Sequence, residues 1–257
     1  GLFFFLSVIF VIVWFAPPAH LFQGISRYLP LHSFMETIAI VVAVLVFGIG
    51  WNAYSVERPF NIVLLSCVFL AVGLLDFAHM LSYAGMPDFV TLSGPQKAID
   101  FWLAARFLAA VALLSVALLP WKPFPFKGGR YVVLAVSLGF ALLVYWVILF
   151  HESDLPATFI AGKGLTPFKI GSEYFIVFIH LLTVGVFLAG ARKPKPDYTV
   201  YLLAAVAIMV LSELCFTLYS SVTDIFNLMG HAYKVLAYVF IYRAVFVSSV
   251  QEPYKRL

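Results

Sequence analysis

Eight stretches of this chain are apolar for 15 to 26 residues at a time, and nothing else in the sequence limits the fold so strongly. A bilayer core is ~30 Å thick and offers backbone amides no partner, so an apolar run of ~20 residues crosses it as a helix. The runs cover 2–16, 31–54, 60–83, 98–119, 130–150, 170–191, 198–223 and 229–250. With 63% hydrophobic and 11% charged residues, no soluble core could use this much apolar surface. The expectation is an all-α polytopic membrane bundle of about eight transmembrane helices, forming one domain over 1–250.

The first run is short and has no basic flank, but it reads as a true span rather than a signal-like segment. Pro17-Pro18 ends it. The stretch His20 to Pro30 reads as an interfacial half-helix, with Pro30 opening the second span. Cys67 and Cys215 fall in opposite leaflets of this topology, which argues against a disulfide.

Orientation follows from the basic residues. Ten of the sixteen (Arg58, Lys122, Lys127, Arg130, Arg192, Lys193, Lys195, Arg243, Lys255, Arg256) fall on one side, and four (Arg27, Lys97, Lys163, Lys169) on the other. Arg106 and Lys234 lie within spans. The richer side is expected to be cytoplasmic, with both termini inside. Residues 251–257 then begin a linker toward an output domain. The net charge of +4 is spread over these short loops and makes no case for a nucleic-acid partner; the partner it implies is membrane lipid.

The same topology puts the early residues of even spans and the late residues of odd spans in the outer half of the bilayer. The ionisable residues obey that rule. His32 and Glu36 stand at i, i+4 in the second span, and Asp76, His79 and Tyr83 share a face of the third. Asp100 and Arg106 belong to the fourth, Glu173 and the deeper His180 to the sixth. Glu213 lies midway in the seventh, with Thr217, Ser220 and Asp224 continuing its face, and the eighth opens with Gly230, His231 and Lys234.

Such groups cost at least ~2.5–3.5 kcal/mol each on insertion scales, so they need partners or a purpose. One reading is structural: Arg106 and Lys234 neutralise Glu36, Asp76 or Glu213. The other is a ligand pocket open to the outer face, favoured because His32, His79 and His231 come from three helices at one depth. Haem b is the favoured cofactor: His79 and His231 could clasp its iron, walled by some of the 27 Phe residues. Alternatively, the three histidines and Glu36 could hold one transition-metal ion. Without a C-x-x-C-H motif, covalent c-type attachment is excluded. His20, His151 and His180 receive no role, the first two reading as interfacial.

The ordered series HSFxE (His32 to Glu36), LDFAHMLSYAGM (Leu75 to Met86), FWLAAR (Phe101 to Arg106), SELCFTLY (Ser212 to Tyr219) and GHAYK (Gly230 to Lys234) resembles the third type of bacterial membrane-associated sensor domain. That family sits N-terminal to histidine kinase, diguanylate cyclase and PAS modules. The resemblance runs from about His32 to Pro253 and implies a non-catalytic input domain, feeding an output in the same chain and acting as a homodimer. It marks His32, Glu36, Asp76, His79, Tyr83, Arg106, Glu213, Tyr219, His231 and Lys234 as site residues. On this reading Arg106 and Lys234 face haem propionates or an anionic ligand, and Glu36 and Glu213 orient histidines. A change in ligand occupancy or oxidation state would shift the eighth helix, which runs straight toward the output.

Other classes fit less well. A transporter would show an internal repeat or paired broken spans, and neither is visible. A retinal-type photoreceptor could use Lys234, which is too near its helix start for a mid-bilayer chromophore. A quinone-reactive cytochrome would share the haem ligands and differ by turning over quinol.

Overall fold

The apolar runs become helices because only a helix satisfies every backbone amide inside hydrocarbon. A computed structural model describes residues 1–16, 25–53, 59–123, 128–190, 198–219, 223–251 and 254, without the side chains of 25 and 26. Its helices are α1 (Leu2–Phe15), α2 (Ile25–Asn52), α3 (Phe60–Ser82), α4 (Pro95–Leu118), α5 (Gly129–Phe150), α6 (Pro167–Ala189), α7 (Tyr198–Leu218) and α8 (Ile225–Phe246). A π-helical turn, Val247–Gln251, continues α8. The protein is an all-α polytopic bundle.

Seven of these helices are long and apolar enough to span a membrane; α1 is not. Its 14 residues, counted from the second residue of the sequence, rise ~21 Å. It is held from the side through buried Leu6 and Phe10 and a 2.9 Å bond from the Tyr233 hydroxyl to the Leu6 carbonyl.

Two helix ends also differ from expectation. α2 begins at Ile25, so Pro30 lies inside it rather than at its start. Near an N-terminus a proline removes few hydrogen bonds, and the helix absorbs it. The expected half-helix from His20 falls partly outside the described residues. α7 stops at Leu218 because Asp224 already caps α8, accepting a bond from the Asn227 amide at 3.0 Å. A helix reaching 223 would leave no chain for the reversal; Ser220 lies outside the described residues.

The packing partners close a ring: α2 on α3, α3 on α4, α4 on α6, α6 on α7, α7 on α8, and α8 back on α2. α5 lies outside it against α3 and turns Val136, Leu142 and Trp146 outward. α3, α4, α7 and α8 therefore carry polar residues that hydrocarbon cannot touch. At the end where α2, α4, α6 and α8 begin, loops cover the ring. Lys97 donates to the Phe89 and Thr91 carbonyls at 2.6 and 3.0 Å. A two-stranded hairpin, β1 (Phe159–Ile160) with β2 (Gly164–Leu165), is tied to α4 where Gln96 Oε1 accepts from the Thr158 amide at 2.8 Å.

Lys97 and Lys169, counted as loop cations, are each only 1% exposed within α4 and α6. They are therefore not loop charges. Seven of the ten residues on the expected cytoplasmic side (58, 127, 192, 193, 195, 255 and 256) lie outside the described residues. Cys67 and Cys215 are both buried and unbonded to each other.

Candidate functional site

The i, i+4 and i, i+7 spacings turn one polar stripe of each helix into the ring. α2 brings Tyr28, His32 and Glu36; α3 brings Asp76 and His79, with Tyr83 just beyond its end. α4 adds Trp102 and Arg106, and α8 adds His231, Lys234 and Tyr238. Each of these side chains is buried, and His32 and Glu36 have no exposed surface at all.

The three histidines meet. His32 Nε2 lies 3.3 Å from His79 Nε2, the His32 and His231 ring centres are 4.7 Å apart, and Tyr83 stacks on His32 at 3.9 Å. His79 Nδ1 donates to the Ala98 carbonyl at 2.8 Å, so its Nε2 carries the lone pair and points at His32. His32 Nδ1 is buried without a hydrogen-bond partner. His231 Nδ1 comes within 2.7 Å of Glu36 Oε1 but out of line for a good hydrogen bond. One donor atom from each of His32, Glu36, His79 and His231 can be chosen so that all lie within 4.8 Å of one another. A tetrahedral ion with bonds of ~2.0–2.2 Å sets its donors roughly 3.3–3.6 Å apart, close to the His32–His79 separation.

Beside this cluster lies a layer of ion pairs. Lys234 Nζ donates to both Glu36 oxygens at 2.6 and 2.7 Å and sits 3.6 Å from Asp76 Oδ1. Arg106 Nη2 donates to Asp76 at 2.8 and 3.0 Å and to the Tyr238 hydroxyl at 2.5 Å, while Tyr238 donates to Asp76 at 2.9 Å. Both cations thus already have carboxylate partners.

A second polar group stands across Trp102. The indole ring lies 5.3 Å from both His79 and His231, with the Arg106 guanidinium and the Lys234 ammonium each 4.7 Å from it. Its Nε1 donates to Glu173 at 3.1 Å. Lys169 pairs with Glu173 at 3.0 Å and donates to the Phe216 carbonyl at 2.6 Å, while the Glu213 carboxyl lies close to that of Glu173. Glu213 thus orients no histidine. Tyr219 belongs here too, its ring 4.7 Å from Lys169 Nζ. Burial pushes the Tyr83 and Tyr219 hydroxyls up from their ordinary range, so both remain protonated donors.

A cavity of about 30 Å³ reaches the histidines between His79, Tyr83, Trp102, Lys169, Tyr219 and His231. A larger crevice of about 330 Å³ lies elsewhere, between α4, α5 and α6, walled by residues such as Leu103, Phe107 and Leu143, with no histidine in its lining.

The sequence reading brought eight of its ten site residues into one cluster and left Glu213 and Tyr219 in the adjoining one. It did not name Trp102, Tyr238, Glu173, Lys169 or Tyr28 as site residues. Trp102 and Tyr238 could have been found as the residues four before Arg106 and four after Lys234. Of the remaining histidines, His180 is buried but not among the four clustered donors, and His151 lies 3.4 Å from Asp154 in a loop. His20 is outside the described residues. Asp100 accepts from Gln96 and Thr158 at the covered end, and the Thr217 hydroxyl turns back to the Leu214 carbonyl.

The sequence model of one family, described as a membrane-associated sensor domain (MASE3), matches residues 24–253. No curated protein matches the chain, and no solved structure does.

Proposed function

The chain belongs to the membrane-associated sensor domain family and is a membrane-embedded sensory input domain; from this premise we propose that its signal enters through a transition-metal ion held by His32, Glu36, His79 and His231. The observation that carries this reading is the convergence of three buried imidazoles and one carboxylate from α2, α3 and α8. Neutral imidazole with carboxylate suits zinc, copper, iron or nickel in the divalent state. The His79–Ala98 bond is the kind of support that fixes a ligating tautomer.

Haem b is the second reading. Two histidines whose ring centres stand 6.1 Å apart in near-parallel planes support it. Against it, Trp102 packs on both rings, and the adjoining 30 Å³ falls far below the ~300–1,000 Å³ typical of organic-ligand pockets. A quinone-reactive cytochrome meets the same difficulty.

In the proposed scheme the site faces the outer side of the bacterial inner membrane and both termini are cytoplasmic. The domain binds and relays rather than catalyses, and works as a homodimer. An ion joining α2, α3 and α8 changes how α8 sits against its neighbours, and α8 leads toward an output module in the same chain. Coupling of ~1–3 kcal/mol is enough to regulate an attached enzyme.

The test is metal analysis and a visible spectrum, oxidised and dithionite-reduced, of the detergent-purified protein. One transition metal per chain and no Soret band, with the metal lost in His79→Ala and His231→Ala, is expected. A Soret band lost in the same variants would replace the ion by haem. A colourless protein that takes up no zinc, copper, iron or nickel would leave only a structural ion-pair layer.

A further inference from the structure

We infer that Lys234 is a tethered cation that competes with the metal ion for Glu36, so that metal binding is read as transfer of the Lys234 ammonium from Glu36 on α2 to Asp76 on α3. This rests on the metal-ion reading above and adds the device by which the site would act.

Glu36 is claimed twice. Its Oε1 has Lys234 Nζ at 2.6 Å and His231 Nδ1 at 2.7 Å, and its Oε2 has Lys234 Nζ again at 2.7 Å. The only carboxylate among the four candidate donors is therefore already neutralised through both oxygens. An ion bound by the imidazoles and either oxygen would stand about one side-chain contact from the ammonium. In a poorly screened interior, like charges at that distance repel far more strongly than in water. Both cannot hold Glu36 in this geometry.

A second berth for the ammonium is already built. Asp76 Oδ1 is 3.6 Å from Nζ, beyond hydrogen-bond range but within an ion-pair contact. Asp76 is held in place by Arg106 and Tyr238, so it does not have to move to accept. The faces of Trp102, 4.7 Å from Nζ, and of Tyr238, 5.9 Å away, favour a cation in this region. A shift of about 1 Å exchanges a short bond to Glu36 for a short bond to Asp76.

The exchange has a mechanical meaning because the two carboxylates sit on different helices. With Lys234 on Glu36, α8 is tied to α2. With the ion in place, His231 ties α8 to the ion while Lys234, one turn further along, ties it to α3. Two discrete arrangements of one contact supply the bistable element that a sensor needs.

The sign of the prediction separates competition from support. Zinc affinity is measured by chelator competition on the full chain in detergent, with the thermal stability of the metal-free protein recorded alongside. Lys234→Gln removes the competitor and is expected to bind Zn²⁺ roughly 5–150-fold more tightly, the range of ordinary coupling energies, while the metal-free protein loses stability. Lys234→Arg, which can grip Glu36 with a two-pronged fork, is expected to bind at least tenfold more weakly, by analogy with the stronger bidentate pair. If Lys234 only props the site open, Lys234→Gln binds zinc as wild type does or worse, and the inference is overturned. Should Lys234→Gln fail to fold, Lys234→Arg decides alone: wild-type affinity or better in that variant overturns the competition. A wild-type protein that binds neither Zn²⁺ nor Co²⁺ overturns the metal site itself, and the exchange with it.

Discussion

Replacing Arg106 by Leu removes one half of an ion pair in which Asp76 has no exposed surface and Arg106 has 1%. At 2.8 Å and an effective dielectric of ~20, the gross attraction between the two charges is ~6 kcal/mol. Desolvation offsets most of that gain, so the pair itself adds little net stability. Losing one partner is different, because the remaining charge stays buried and uncompensated at a cost of ~3–5 kcal/mol. Loss of the Tyr238 contact adds ~1 kcal/mol. Lys234, 3.6 Å from Asp76, can close part of the gap, so the expected loss lies near ~3 kcal/mol. Arg106→Leu combined with Asp76→Leu should recover most of it, since neither charge is then buried alone. The assay is reversible unfolding of the detergent-solubilised protein followed by tryptophan fluorescence. A loss below ~1 kcal/mol, the level of exposed pairs, would show that water reaches the pair and that the ring interior is not dry.

Gly230→Ala places a methyl group 2.5 Å from the Phe216 ring, which packs on His231, so unfolding should be ~1–3 kcal/mol easier and bound metal reduced; unchanged metal content would separate the α7–α8 contact from the site. Glu173→Gln should destabilise by ~3–5 kcal/mol because buried Lys169 loses its charged partner, whereas Glu213→Gln, which leaves the Lys169–Glu173 pair intact, should cost under ~1 kcal/mol; equal losses would overturn that asymmetry. Zinc at 100 times its dissociation constant should stabilise the protein by ~2.7 kcal/mol, and EDTA should reverse this. His32→Ala should abolish the effect in a thermal shift assay.

The site was legible in the sequence as a set but not as a set of pairs. His32, Glu36, Asp76, His79, Arg106, His231 and Lys234 stood out because an ionisable residue in an apolar run is expensive and therefore informative. Trp102 and Tyr238 stood out only by their positions four residues from Arg106 and Lys234, since an aromatic residue in a membrane helix is itself ordinary. Lys169 was read as a loop charge because hydropathy places the start of α6 several residues late, whereas Thr166 caps the helix with Pro167 in its first turn. Glu213 was expected to serve a histidine, and the rotation of α7 gave it to Glu173 instead.

By itself the sequence determined that the chain lives in a membrane, where most helices run, and which residues share a depth. Hydrocarbon leaves the backbone no alternative to a helix, and 1.5 Å per residue turns position into height. Only the tertiary structure decided that six helices close a ring, and that Lys234 rests on Glu36 while Arg106 rests on Asp76. Those choices depend on the rotation of each helix and the order of its neighbours. Both are set by side-chain packing between segments far apart in the chain, which no run, spacing or count along one segment encodes.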